Sequence, residues 1–296
     1  MSYRDLFLVS EPLITYTEEG LETVAKIFGF PFDVTTTFRP GTRFGPNAIR
    51  QAYMNIEIYL PQLNVDLERL NIEDLGNLKS TNNVDEMIYS TGKVVTEIIS
   101  ENVTCGILGG EHSLTLGAYL SAPRDAALII FDAHLDMRDE FSGLKLSHAT
   151  FLRRLTEKIG ADNIIHVGSR AASNEEWLFA NNIGLSLISA QIIHKIDNAE
   201  NLLTDFLKDF KNVYVSIDLD VLDPGFAPAV SNPEPNGIST HKLLEFLYSL
   251  KGKNIVGFDI VELTPLYDHG ITAVVAARLM SELIGLSYIA QRDQLF

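Results

Sequence analysis

Short runs of apolar, often β-branched residues recur along this 296-residue chain, at 24–30, 69–76, 103–109, 127–132, 164–168, 185–189, 212–218 and 255–260. Several are apolar throughout rather than alternating, which is the pattern of strands covered on both faces. Between them lie stretches of helical periodicity at 47–60, 84–100, 113–120, 150–159, 199–210, 240–250 and 272–284. Asn83 and Ser239 stand where they can cap two of these. Alternation of strand and helix predicts an α/β fold with a mainly parallel central sheet and helices on both of its faces. No linker or low-complexity stretch interrupts the pattern, so one domain spanning 1–296 is expected.

Composition narrows the functional classes. Hydrophobic residues make up 46% of the chain, enough for a large core. The one cysteine, Cys105, lies in an apolar run and reads as a small buried hydrophobe, so no disulfide framework within the chain is expected. Residues 1–20 carry early acids and do not read as a signal peptide. No stretch approaches ~18 uninterrupted apolar residues, so the expectation is a soluble cytoplasmic protein without a membrane partner. The formal net charge of −16 repels nucleic acid. Such a field favours cationic substrates or metals, or serves solubility alone.

The candidate chemistry lies at the ends of four apolar runs. These are Gly109-Gly110-Glu111-His112, Asp132-Ala133-His134-Leu135-Asp136, Ser216-Ile217-Asp218-Leu219-Asp220 and Asp259-Ile260-Val261-Glu262. In open parallel sheets, ligands bind beyond the carboxyl ends of strands. Side chains two apart on an extended segment share a side, which would bring Asp132, His134 and Asp136 together and pair Asp218 with Asp220. Any one of these aspartates taken alone is as simply a cap or a turn former. Four carboxylates in one small volume need positive charge, and two divalent cations supply it. The mixed imidazole and carboxylate set suits a borderline-hard ion such as Mn²⁺ and excludes a thiolate site. His148 is the candidate proton shuttle, its alternative being a cap ahead of the helix at 150–159. Glu262 ends the last of these runs, which points it at the same rim; its alternative is a capping acid.

These residues resemble the ureohydrolase family of arginases and agmatinases, whose motifs GGDH, DAHxD and SxDxDxxDP occur in this order. Here they read GGEH, DAHLD and SIDLDVLDP over 109–112, 132–136 and 216–224, and the likeness runs from about 31 to about 284. The agmatinase branch is resembled most closely, through PFD at 31–33, FRPGTRFGPNAIR at 38–50, SHATF at 147–151 and ELTPLYD at 262–268. The resemblance implies an arginase-like three-layer α/β/α sandwich, assembled as a trimer or hexamer. It implies two Mn²⁺ per chain, one held by His112, Asp132, Asp136 and Asp218. The other would be held by Asp132, His134, Asp218 and Asp220, with Asp132 and Asp218 bridging. The implied reaction splits agmatine into putrescine and urea, with Glu262 the candidate for pairing with the guanidinium through two parallel N–H bonds. Alternatives are an arginase, another guanidino-acid or formimidoyl hydrolase, or a relative that binds metal without turnover. Two departures stand out: Glu111 where the motif has aspartate, and Ala149 where it has glycine.

Overall fold

The computed structural model describes residues 6–9 and 22–294, so most of the segment read for a signal peptide lies outside them. Among the described residues the strands are β1 (Leu8–Val9), β2 (Thr23–Gly29), β3 (Tyr59–Leu60), β4 (Val65–Asp66), β5 (Asn71–Leu78) and β6 (Thr104–Leu108). They continue with β7 (Ala127–Phe131), β8 (Ile164–Val167), β9 (Ser186–Ile188), β10 (Asn212–Asp218) and β11 (Asn254–Val261). The helices are α1 (Gly45–Tyr53), α2 (Val84–Ile99), α3 (Leu114–Leu120), α4 (Phe151–Ile159) and α5 (Asn174–Asn182). The last four are α6 (Ala190–Lys195), α7 (Glu200–Phe206), α8 (Thr240–Tyr248) and α9 (Ile271–Gln294).

Nine of these strands form one sheet in the order β1-β5-β2-β6-β11-β10-β7-β8-β9. Every pairing is parallel except that of the two-residue edge strand β1 with β5. The unbroken apolar runs are explained by burial on both faces. On β7, Ala127, Ile129 and Phe131 enter one core while Leu128 and Ile130 enter the other. Helices α1, α7, α8 and α9 supply Ile49, Leu203, Phe246 and Leu279 to the first core. Helices α2, α3 and α4 supply Val94, Leu116 and Leu155 to the second. This is the expected three-layer sandwich. It carries Cys105 fully buried in the second core.

Several boundaries differ from the periodicity. The helix expected over 47–60 stops at Tyr53, and Tyr59–Leu60 instead pairs with Val65–Asp66 as a small antiparallel hairpin. Pro61 disfavours helical backbone at Leu60, and Asn64 takes a left-handed φ of 52° in the turn. The last helix, expected over 272–284, runs on through Gly285 to Gln294. A Cβ on Gly285 would lie 2.4 Å from Leu60 Cδ1, so the glycine is there for close packing. The apolar character of Ile271–Asp293 follows from its place in the core, since 78% of its most apolar window is buried. Helices α5 and α6 were not expected. Ser173 and Ser189 cap them, and Ser173 with Glu176 forms a reciprocal capping box.

Candidate metal centre

Strands β6, β11, β10 and β7 are consecutive neighbours, and each of the four motifs leaves the carboxyl end of one of them. The two glycines at the end of β6 are a packing requirement. A Cβ on Gly110 would stand 2.0 Å from the Phe32 carbonyl oxygen, and one on Gly109 would stand 2.5 Å from Val261 Cγ1. His112 thereby enters between the loop at 30–33 and β11.

All six expected ligands converge. His112 Nδ1 lies 3.0 Å from Asp132 Oδ2, 3.3 Å from Asp218 Oδ2 and 3.5 Å from Asp136 Oδ2. His134 Nδ1 lies 2.9 Å from Asp220 Oδ2 and 3.8 Å from Asp132 Oδ1. Asp132 thus turns one oxygen to each histidine and joins two triads, His112–Asp132–Asp218 and Asp132–His134–Asp220. Asp132 Oδ1 and Asp218 Oδ1 each also accept the amide two residues on, of His134 at 2.6 Å and of Asp220 at 2.8 Å. Convergence does not come from strand alternation alone. β7 ends at Phe131, Asp136 takes a left-handed φ of 49°, and Asp220 sits in a 3-10 turn, Leu219–Val221, capped by Asp218.

The surroundings test whether these groups suit a cation. His112 Nε2 lies 2.9 Å from Ser216 Oγ, and that hydroxyl gives its proton to Asp259 Oδ1 at 2.6 Å. Ser216 therefore accepts from Nε2–H, which leaves the Nδ1 lone pair facing three carboxylates. His112 Nδ1 and Asp132 Oδ2 are buried and have no hydrogen-bond partner. Asp259 is fixed in turn by Tyr214 Oη at 2.9 Å and Thr115 Oγ1 at 3.1 Å. An imidazole with its outer nitrogen held by such a chain is the form that ligates metal. Electrostatics agree. Burial pushes the Asp132 carboxyl up to about 6, with Asp136 and Asp220 adding to the rise. Burial followed by Asp220 and Asp132 drives Asp218 well above the carboxylate range. Burial lowers the His112 ring, yet Asp132, Asp136 and Asp218 outweigh it and raise the ring well above its ordinary value. The cluster is short of positive charge, and the donor set and orphaned atoms fit divalent cations.

Four of the six, His134, Asp136, Asp218 and Asp220, line a cavity of about 340 Å³ that also reaches His148 and Glu262. Glu262, at a left-handed φ of 66°, accepts the amide of His112 at 2.7 Å and the hydroxyl of Ser231. Burial pushes its carboxyl up to about 8. His148 is 6% exposed, with Nε2 3.4 Å from Thr37 Oγ1 and its ring edge-on to Phe141. Burial, then the nearby histidines, lowers it to about 4, so the ring is neutral at pH 7.

Sequence reasoning passed over several contributors. Thr37, Arg138, Phe141, Asn232 and Glu234 line the cavity. Glu234, on sequence grounds a loop acid near the substrate tail or, more simply, solvated surface, has its carboxylate 3.7 Å from His134 Nε2. Arg170 donates to the carbonyls of Asp220 at 2.6 Å and Glu234 at 2.8 Å, tying both loops together. Glu176 holds the amide of Met137 just past Asp136. Only Glu176 carried a local signal, the Ser173–Glu176 box.

A parallel α/β sandwich with a histidine–carboxylate cluster at its strand ends is the scaffold of a metal-dependent hydrolase. Residues 24–285 match the arginase family, and the chain belongs to that family, as a hydrolase of the arginase and agmatinase type. It is 34% identical to the agmatinase of Halalkalibacterium halodurans over 88% of this chain and 91% of that one. It is likewise 34% identical to the N(1)-aminopropylagmatine ureohydrolase of Thermococcus kodakarensis, over 88% and 89% of the two chains. Its fold superposes on the crystal structure of the agmatine ureohydrolase of Thermoplasma volcanium with a TM-score of 0.89. That match covers 96% of this chain and 97% of the other at 34% identity.

Proposed function

We propose that this chain hydrolyses the guanidinium group of agmatine, giving putrescine and urea, with two Mn²⁺ ions as its cofactor. The observation that carries the reading is the pair of triads sharing Asp132, against a cavity that also reaches Glu262 and His148. His112, Asp132, Asp136 and Asp218 would hold one ion, and Asp132, His134 and Asp220, with Asp218 beside them, the other. Bound there, the ions would neutralise the carboxylates and make a water acidic enough to serve as nucleophile near neutral pH.

The chain's own residues account for the rest. Glu262 is fixed by the His112 amide and Ser231, and each of its oxygens keeps a lone pair for a parallel N–H of the guanidinium. That pairing supplies the cation that a carboxyl raised to about 8 requires in order to ionise at pH 7. His148, neutral and buried at the cavity wall, would take up on Nε2 the proton that the attacking water gives up and hand it to the departing amine. A cationic tail is favoured by Glu234 at the rim. The other rim charge, Arg138, is offset by Glu176 at 3.5 Å and lies over Phe141.

Urea release measured side by side on agmatine, arginine and guanidinobutyrate tests the substrate, with agmatine expected to give the highest kcat/KM. Asp132→Ala should lose bound metal and activity together. His148→Ala should keep both ions and lose roughly 100- to 10,000-fold in kcat. Metal loss from His148→Ala with an active Asp132→Ala would refute these roles.

A further inference from the structure

We infer that Glu111 positions His148 through Thr35, so that the carboxylate next to His112 in the chain sets the place of the proton carrier. Glu111 is fully buried and reaches away from the ligands. Its Oε1 accepts Thr35 Oγ1 at 2.7 Å and Ser113 Oγ at 2.6 Å, and its Oε2 accepts the Thr35 amide at 2.8 Å. Having given its proton to Glu111, the Thr35 hydroxyl can only accept, and it accepts the backbone N–H of His148 at 3.0 Å. Two residues on, Thr37 Oγ1 meets the ring of the same histidine. The loop that carries both threonines is closed on itself by Asp33, which accepts the Gly41 amide at 3.0 Å and pairs with Arg43.

The geometry makes the link directional. One residue's amide and hydroxyl both terminate on one carboxylate, so Thr35 has no freedom to rotate its acceptor away from His148. The chain Glu111–Thr35–His148 joins segments 76 and 113 residues apart. Shortening Glu111 by one methylene withdraws its oxygens by about 1.5 Å, one C–C bond length. Contacts of 2.6–2.8 Å do not survive that without movement of the loop. His148 lies near the reacting groups, and a displacement of about 1 Å there costs up to roughly 100-fold in rate. Glu111 is a positioning residue on this reading, which rests on the proposal that His148 moves the proton.

The test uses full-length Thr35→Val, Thr35→Ser, Glu111→Asp and the double variant Thr35→Val/Glu111→Asp, each loaded with Mn²⁺, with His148→Ala alongside. Thr35→Val and Glu111→Asp should lose roughly 10- to 100-fold in kcat with KM nearly unchanged. Metal content of Thr35→Val should match the parent, while its melting temperature falls by roughly 2–6 °C because a Glu111 oxygen and the His148 amide each lose a buried partner. Thr35→Ser, which keeps the hydroxyl, should retain most of kcat, and the double variant should be no worse than its worse single. In metal-free protein, the His148 ring resonances should shift in Thr35→Val and stay in place in Thr35→Ser. Parental kcat in Thr35→Val, or equal losses in the valine and serine variants, would overturn the link. If His148→Ala itself kept full kcat, the proton-carrier role would fail, while the ring resonances would still decide whether Thr35 places His148.

Discussion

At the scale of single residues, His148 couples burial to proton affinity. Its ring sits at about 4 in the folded protein against an ordinary 6.5. A histidine lowered by folding binds its proton more readily when unfolded, so its contribution to stability is intact above pH 6.5 and disappears as pH falls towards 4. The gap corresponds to about 3 kcal/mol. Denaturant unfolding at pH 7 and pH 4 should show that His148→Asn loses less stability on acidification than the parent by about this amount. An identical acid sensitivity in both would mean that the ring is not held neutral. The convergence of the six candidate ligands was legible at this scale because histidine and aspartate recur at two-residue spacing at the ends of several apolar runs, although each aspartate alone passes for a turn former. Ser216, Asp259, Thr35 and Arg170 were not legible. Each is an ordinary polar residue whose work depends on a partner 43 to 113 residues away.

At the scale of elements, the strands were readable because double burial leaves an uninterrupted apolar run. Helices α5 and α6 and the loop turns were not, because capping residues and left-handed positions decide them more than periodicity does. The turn after β6 shows the difference. Periodicity ends the strand near Gly109, but only the structure shows why Gly110 follows. It hydrogen-bonds to Phe30 and lies against the Phe32 carbonyl. Gly110→Ala places a Cβ 2.0 Å from that backbone oxygen, so the loop at 30–37 must move. The expected cost is about 3 kcal/mol in stability, seen as a lower denaturant midpoint, together with a fall in kcat because Thr35 and Thr37 move with the loop. A variant as stable and active as the parent would show the approach to be looser than 2.0 Å.

Across the whole molecule, four clustered carboxylates and a net charge of −16 make metal a stabilising ligand as well as a cofactor. A cation that binds only the folded chain adds about 2.7 kcal/mol per site at 100 times its Kd. Removing two ions by chelation should therefore lower Tm by roughly 10 °C. Calorimetry of the chelated and Mn²⁺-reloaded protein checks this, and reloading should restore both Tm and urea release. Unchanged melting after verified metal loss would mean that folded and unfolded chains bind the ions alike. The three-layer arrangement at this scale was fully anticipated by strand–helix alternation. The order of strands in the sheet was not, since periodicity carries no information on which strand lies beside which.

That order has a kinetic consequence. Strands β6 and β11 are neighbours although β11 comes near the end of the chain, and Glu262 meets the amide of His112 across 150 positions. Closing such long loops costs entropy before any contact rewards it, and chains rich in distant pairings fold slowly. During synthesis the first histidine of the centre emerges long before the strand that seats it. The catalytic cavity is thus among the last features to take shape, and a nascent chain short of β11 exposes the flank of β6 that is most prone to pair with the wrong partner.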